Sequence, residues 1–584
     1  MMRIKTPYIV LLLLFVVLGV YYPTIFAPIN SIDDKKIVTR LINTEHFSLT
    51  NIIRRYPSSP YYRPLTSASF IADKYLWGLE PSFMHLENIL LHACNVVILF
   101  FISRRFFRYY AIENDLPAFS AALLFALHPV NTEAVNWISG RTDVLAGTFI
   151  LLSLALLLRS LKEGEGLSGG LAALAFLTGC FAKEVAFFFF PIALIIFVSF
   201  DNTGAAKVLS LRAAIAKRTF ILLAYIAAAG LYLFMRRLPF NKTTSITTYI
   251  ANEVETHTAT FPEVMRIGLK ALGFYAKKLF IPWPLNFSII SISDYYLAAG
   301  TIVVLCCAYF LYRRDVLSVF FLASASFIAP ALLVAVTGVA WTPLAERYLY
   351  IPSATFSIGI VYLVLISAGK LKSYQAILPF AAVVVFSTAA YTTTERNIIW
   401  QDNLTLFQDT VEKSKGFSLA NNDLAIALIE HGRQKEGYEL LISNRADSGQ
   451  AKAGAFVDMN RAVALDSQGD VEGARTLLYN TLHFQKKVDP MILQRLIKIS
   501  SSRLEKTHDR KKQRELRLEL IDLYTQLHSI QPDAYNYYRI GQVYLFMKDK
   551  REARDYFARA YKSAPDDAFY KLPAKKLSEM PVGR

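Results

Sequence analysis

The sequence predicts an all-α protein: a polytopic membrane domain of about 11 transmembrane helices, followed by a C-terminal α-solenoid. Composition is the first observation, because 584 residues that are 54% hydrophobic, with a mean hydropathy of +0.33, are too apolar for an ordinary soluble chain. Apolar runs of spanning length recurring through the first two-thirds are the second. The third is a change after Tyr391 to amphipathic patterns of ordinary composition. The expected division is a membrane domain over 1–395 and a repeat domain over 396–584.

The first expected span, 7–27, follows Arg3 and Lys5 and carries no charge. It is long enough to cross and has no small-residue cleavage site after it, so it reads as a retained helix and not as a signal peptide. Further spans are expected at 83–102, 117–135, 143–161, 168–182, 185–200, 218–235, 295–312, 316–337, 347–367 and 375–391. With the N-terminus cytoplasmic, every short basic loop falls on one side. These loops carry Arg104, Arg105 and Arg108, then Arg159 and Lys162, then Lys207, Arg212, Lys217 and Arg218, then Arg313 and Arg314, and finally Lys370 and Lys372. The positive-inside bias therefore puts the first long loop, 30–82, and the C-terminal third on the exoplasmic face.

That parity requires the segment 263–281 not to cross. Arg266, Lys270 and Lys277 fall within about 40° on a helical wheel, a stripe that lipid would not tolerate. An amphipathic helix in the outer interface would carry it, ended by Pro282-Trp283-Pro284 with Trp283 at headgroup level. The basic balance supports this topology and argues against nucleic acid as a partner: of the net +17, residues 1–395 hold +11 and 396–584 hold +6, and the excess lies largely in short loops. The cysteines, Cys94, Cys180, Cys306 and Cys307, all sit in apolar runs and read as small buried hydrophobes, with neither a disulfide framework nor a metal cluster.

In the last third, 422–441, 458–478 and 537–557 can be superimposed. Each has a small-residue helix, a turn at Gly432, Gly469 or Lys548, and five residues later Gly437, Ala474 or Ala553 in a second helix. The pattern resembles tetratricopeptide repeats with long linkers and a degenerate unit near 515–533. Stacked helix pairs serve as a peptide-binding groove or as scaffold.

The exoplasmic loops concentrate polar residues. The first contains Asp33-Asp34, just beyond the first span, and Tyr62-Arg63-Pro64-Leu65-Thr66. The second reads from His128 through Glu133 and Trp137 to Gly140-Arg141-Thr142-Asp143. Lys183-Glu184 tips a tight helical hairpin, and Glu346-Arg347-Tyr348 lies in the last loop. Carboxylates this close to hydrocarbon are costly to place, and their gathering on one side argues for a shared cleft.

These motifs, in this order, resemble the transmembrane and tetratricopeptide-repeat O-mannosyltransferases and their bacterial relatives, integral membrane glycosyltransferases of the GT-C class. The resemblance covers nearly the whole chain. The short repeat region favours a bacterial relative, in the inner membrane with the catalytic side facing the periplasm. The resemblance implies transfer of mannose or another hexose from a polyprenyl-phosphate carrier to an acceptor hydroxyl, of a protein held by the repeats. It implies that Asp33, ahead of Asp34, is the base. A leaving phosphate needs positive charge and not an acid, which points to Arg63 and Arg141, then Lys183 and Arg347. Glu133, Asp143, Glu184 and Glu346 would orient those cations or bind sugar hydroxyls. The sequence identifies no cofactor, and a divalent metal is compatible with this chemistry.

One metal-like pattern is better read otherwise. His85, Asn88, His92 and Asn95 share a helix face, but histidines seven residues apart stand about 10 Å apart, so they form a polar interhelical seam. Three other functions compete with the leading one. They are transfer to a lipid or glycan acceptor, a lipid-sugar transporter, which would predict two matching halves, and a scaffold that uses only the repeats.

Overall fold

The computed structural model describes residues 5–43, 52, 61–163, 165–194, 211–237, 260–313, 315–337, 340, 342–370, 376–444, 451–484, 488–566 and 568–581. Arg3, Lys207, Arg314, Lys372, most of 44–60 and the stretch 195–200 lie outside them. The chain divides into two compact units, Met1–Lys415 and Gly416–Arg584. The division expected at 395 falls inside a continuous helix, Leu378–Trp400.

Unit 1 contains α1 (Thr6–Tyr21), α2 (Asp34–Ile42), α3 (Pro64–Trp77), α4 (Pro81–Tyr109), α5 (Leu116–Ala126), α6 (Thr132–Asn136), α7 (Arg141–Glu163), α8 (Gly166–Ala182) and α9 (Leu211–Arg237). It continues through α10 (Phe261–Phe280), α11 (Tyr295–Arg313), α12 (Val316–Thr337), α13 (Tyr350–Lys370), α14 (Leu378–Trp400) and α15 (Asn403–Lys413). Proline occupies the first turn of α1, α3, α4, α5 and α14, where its missing N–H costs nothing.

Among the described residues seven helices are long and apolar enough to cross a membrane, and the protein is multi-pass. Of the eleven expected spans, three form shorter apolar helices, Leu116–Ala126, Gly166–Ala182 and Glu184–Leu194. The helix α14 is long enough, but its second half is diluted by Thr392, Thr393, Thr394, Glu395 and Arg396. The span expected at 117–135 stops at Ala126 because His128-Pro129 follows, and proline disfavours helix at the residue before it. Among the cysteines only Cys180 is buried; Cys94 and Cys306 face outward from apolar helices.

The helix α10 is not among the seven. A capping box of Thr260 and Glu263 starts it, Arg266 and Lys270 both reach Asp294 at 2.5 and 2.6 Å, and Phe261, Phe280 and Trp283 are exposed. It crosses α11 closely enough that a Cβ on Gly273 or Gly300 would collide with the backbone of the other helix. The polar seam on α4 forms as expected. His92 meets the Tyr350 hydroxyl at 2.9 Å, and the Asn95 amide donates to the Val144 carbonyl and to Tyr350, each at 2.9 Å.

Unit 2 stacks four helix pairs, α16 (Ser418–Glu430) with α17 (Gln434–Ser443), α18 (Ala451–Ser467) with α19 (Val471–Phe484), α20 (Pro490–Lys506) with α21 (Arg510–Ile530) and α22 (Ala534–Phe546) with α23 (Lys550–Ser563), and ends in α24 (Lys571–Ser578). All three turn positions found in the sequence, Gly432, Gly469 and Lys548, adopt positive φ. The small residues after them, Gly437, Ala474 and Ala553, are buried where the paired helix needs space. The degenerate unit expected near 515–533 is a complete pair that begins at Pro490. Aspartate caps start α20, α21, α22 and α23.

Candidate active site

The segment from His128 to Asp143 is the hub. Expected as a helix end and an exoplasmic loop, it is buried apart from the half-buried Ser139 and folds as short helical turns, Pro129–Asn131, α6 and Ile138–Gly140, ahead of α7. Backbone groups freed at such turns must find partners. Asn88 accordingly donates to the carbonyls of Val135 and Trp137 at 3.3 and 2.9 Å, and Asn131 to that of Phe125 at 2.8 Å. The last turn closes on Gly140, where a Cβ would strike the Ala134 carbonyl.

Asp33 and Asp34 separate sharply. Asp34 is buried, and Oδ1 accepts from both the Ser139 N–H at 2.9 Å and the Ser139 hydroxyl, while Oδ2 accepts from the Asn30 N–H at 3.3 Å. Burial outweighs those hydrogen bonds and pushes its carboxyl up to about 7. The Asp33 side chain is 44% exposed and, among the described residues, meets Lys36 at 3.9 Å. Of the two, Asp33 is the carboxylate open to solvent.

The Asp34 environment gives a first expected result. Between the unfolded value of 3.8 and about 7 the folded chain holds a proton that the unfolded chain releases. This contributes stability that is lost as pH rises through about 7, by up to a few kcal/mol. The thermal midpoint of the wild type should fall between about pH 4 and 7, and Asp34→Asn should flatten that slope. Equal slopes in both proteins would show that Asp34 does not titrate there.

Three cations come together beside the hub. Arg63 holds Glu184 through Nε at 2.9 Å and Nη2 at 2.8 Å, with Tyr61 stacked 4.2 Å from the guanidinium. Lys183 meets both oxygens of Asp143 at 2.6 Å. Arg347 binds Glu133 through side chain and backbone and lies between the rings of Trp137 and Tyr348, at 5.1 and 4.9 Å. Lys183 also sits 5.3 Å over Tyr348. The charge of Asp143 acts on all three cations. Burial lowers Lys183 to about 8, with the neighbouring Arg63 and Arg347 adding to the effect, so it remains largely protonated at neutral pH. Arg63, with 22% of its side chain exposed, is the most open of them.

Two dipeptides therefore point opposite charges at different partners. Lys183 takes Asp143 while Glu184 takes Arg63, and Arg347 takes Glu133 while Glu346 takes Lys278 at 2.6 Å. Lys278 was not singled out in the sequence. It lies one position beyond Lys277, which turns it 100° off the exposed stripe and into the protein. Tyr61, Trp137 and Tyr348, which flank the cations, were likewise missed as contributors.

Arg141 does not join this group, which corrects its expected role. It has no exposed surface, donates to Asp73 at 2.6 Å, to Asn88 and the Met84 carbonyl at 3.0 Å, and pairs with Glu87 at 2.9 Å. It stacks 4.8 Å from Phe70. A guanidinium so occupied ties α3, α4 and α7 together and offers nothing to a phosphate. Among the described residues no group of three or more His, Cys, Asp or Glu is placed to hold a metal ion.

Fold and site together define a multi-pass, all-helical membrane protein with a solvent-open carboxylate and a cation and aromatic cluster among its buried turns, plus a helical-repeat unit. The chain is 41% identical over 103 residues to protein O-mannosyl-transferase TMTC1 of Mus musculus, 18% of this chain and 10% of that protein. It is 43% identical over 93 residues to TMTC2 of Homo sapiens, 16% and 10% of the respective chains, and 36% identical over 113 residues to human TMTC4, 18% and 15%. Each match thus spans at most about a seventh of the curated relative's length. No family model matches the chain.

Proposed function

We propose that the protein is a glycosyltransferase that moves a hexose, mannose by analogy with the names of its relatives, from a polyprenyl-phosphate carrier to a serine or threonine hydroxyl of a protein, on the exoplasmic face of a bacterial inner membrane. The observation that carries this reading is that one set of turns, 128–143, holds Asp34, the neighbour of the open Asp33, through Ser139 and holds Lys183 and Arg347 through Asp143 and Glu133. In the proposed step Asp33 takes the hydroxyl proton, the acceptor oxygen bonds to the anomeric carbon, and the carbon–phosphate oxygen bond breaks with its electron pair leaving on the lipid phosphate. Attack opposite the leaving group inverts the anomeric centre. A phosphate departing as an anion needs no proton, and Arg63 and Arg347 match it as planar donors. The repeat unit is assigned the acceptor. It carries a cleft of ≈ 250 Å³ lined by Gln494, Tyr524, Gln531, Tyr535 and Asn536, groups suited to a peptide backbone.

The test is to incubate the purified protein with radiolabelled polyprenyl-phosphate mannose and peptide, lipid and glycan acceptors. Label entering peptide supports the reading; label entering only lipid or glycan reassigns the acceptor. No turnover with any polyprenyl-phosphate sugar sinks it.

The orientation carries its own expected result. Reporters fused after Lys372 and after Asn397 bracket the apolar span 375–391, the larger part of which lies in α14, and should report cytoplasm and exoplasm respectively. Identical reports would mean that this span does not cross and that the catalytic face is assigned to the wrong side.

A further inference from the structure

The segment 281–289 between α10 and α11 is fastened from three sides. Lys278 donates to the carbonyls of Pro282 and Pro284 and to Glu346, and Lys277 donates to the carbonyl of Trp283. The Asn286 N–H gives a further hydrogen bond to Glu346 at 3.1 Å. From α15 and its end, Lys413 donates to the Leu285 carbonyl at 2.9 Å, and Ser414 donates to the Ser288 carbonyl while accepting from the Asn286 amide at 2.8 Å. Phe287 is fully buried among Trp137, Trp400 and Phe407, with ring centroids 5.6, 4.9 and 6.3 Å away.

Two of these contacts bear on one guanidinium. Glu346 is the residue before Arg347, and Trp137 is the ring against which Arg347 rests. The segment thus fixes Arg347 at its backbone through Glu346 and at its side chain through Phe287 and Trp137. Among the described residues nothing comparable reaches Arg63, which pairs with Glu184 and stacks on Tyr61.

We propose that 281–289, with Lys278 and Phe287 as its anchors, is a positioning element that sets where Arg347 presents its guanidinium to the donor phosphate. The phosphate part rests on the functional reading above; the placement of Arg347 does not. Buried ion pairs are destabilising to break from one side but tolerate joint removal, so Lys278→Met is combined with Glu346→Gln, which keeps an acceptor for the Asn286 N–H. Phe287→Leu is the second variant and removes the ring while keeping an apolar side chain.

The direct measurement is the rate at which an arginine-specific dicarbonyl modifies Arg347 and Arg63 in the folded, detergent-purified protein, resolved by peptide mass spectrometry. Both variants should raise Arg347 modification about fivefold, the factor carried by one ordinary hydrogen bond, with Arg63 unchanged. In transfer assays donor KM should rise by a similar factor while kcat stays within about twofold and acceptor KM is unaltered. An Arg347 rate equal to wild type, or a rise shared with Arg63, overturns the proposal, since the first means no control over Arg347 and the second only general loosening. A wild-type protein that uses no polyprenyl-phosphate sugar overturns the functional reading instead, and the ratio of the two arginine rates still decides the positioning role.

Discussion

Asp33→Asn is expected to lower transfer by about 10²-fold or more while leaving donor affinity near wild type, because the change keeps the side-chain volume and removes only the basicity. The adjacent Asp34→Asn should act through stability. Its two oxygens already accept from Ser139 and Asn30 inside the protein, and an amide oxygen replaces one of them. Comparing kcat in the two purified variants, normalised to folded protein, checks the assignment. Full turnover in Asp33→Asn would remove it from the chemistry. A large loss in Asp34→Asn, with the fold intact, would move the base there.

The second large effect belongs to Arg141, and it is an effect on folding. Arg141→Met leaves Asp73, which is completely buried, facing Glu87 without a cation. Removing one member of a buried ion pair costs about 3–5 kcal/mol, a large share of the 5–15 kcal/mol by which a protein is ordinarily stable. Arg141→Lys keeps the charge but cannot serve Asn88, Asp73 and the Met84 carbonyl from one planar fork, so it should also destabilise, by less. The measurement is the thermal midpoint in detergent together with donor KM of the surviving folded fraction. An unchanged midpoint with a raised donor KM would put Arg141 back at the phosphate.

Local signals were legible in the sequence and partner choices were not. The turns of the repeats could be read because Gly432 and Gly469 announce a left-handed backbone, and the α4 seam because its polar residues fall on one helical face. The charged dipeptides were visible too, and Lys183-Glu184 and Glu346-Arg347 do lie among the buried turns. What the sequence could not supply is which cation meets which carboxylate. Arg141 and Asp73 stand 68 residues apart, and so do Lys278 and Glu346. Only the packing of α3, α4 and α10 decides those pairings. Arg141 looked like a ligand-binding arginine because Gly140 precedes it, yet that glycine serves the approach of the Ala134 carbonyl. The helix expected over 117–135 ends at Ala126, because periodicity does not weigh a proline at the end of an apolar run as heavily as the backbone does.

Each cation beside the hub already has a resident counter-ion: Glu184 for Arg63, Asp143 for Lys183 and Glu133 for Arg347. Capture of an anion there is consequently an exchange between partners and not the neutralisation of bare charge. Among the described residues each of the three positive charges at this point is matched by a carboxylate. On the proposed function, the same carboxylates would reclaim their cations and displace a spent anionic product from within, so that turnover would not wait on the slow escape of a tightly held ion.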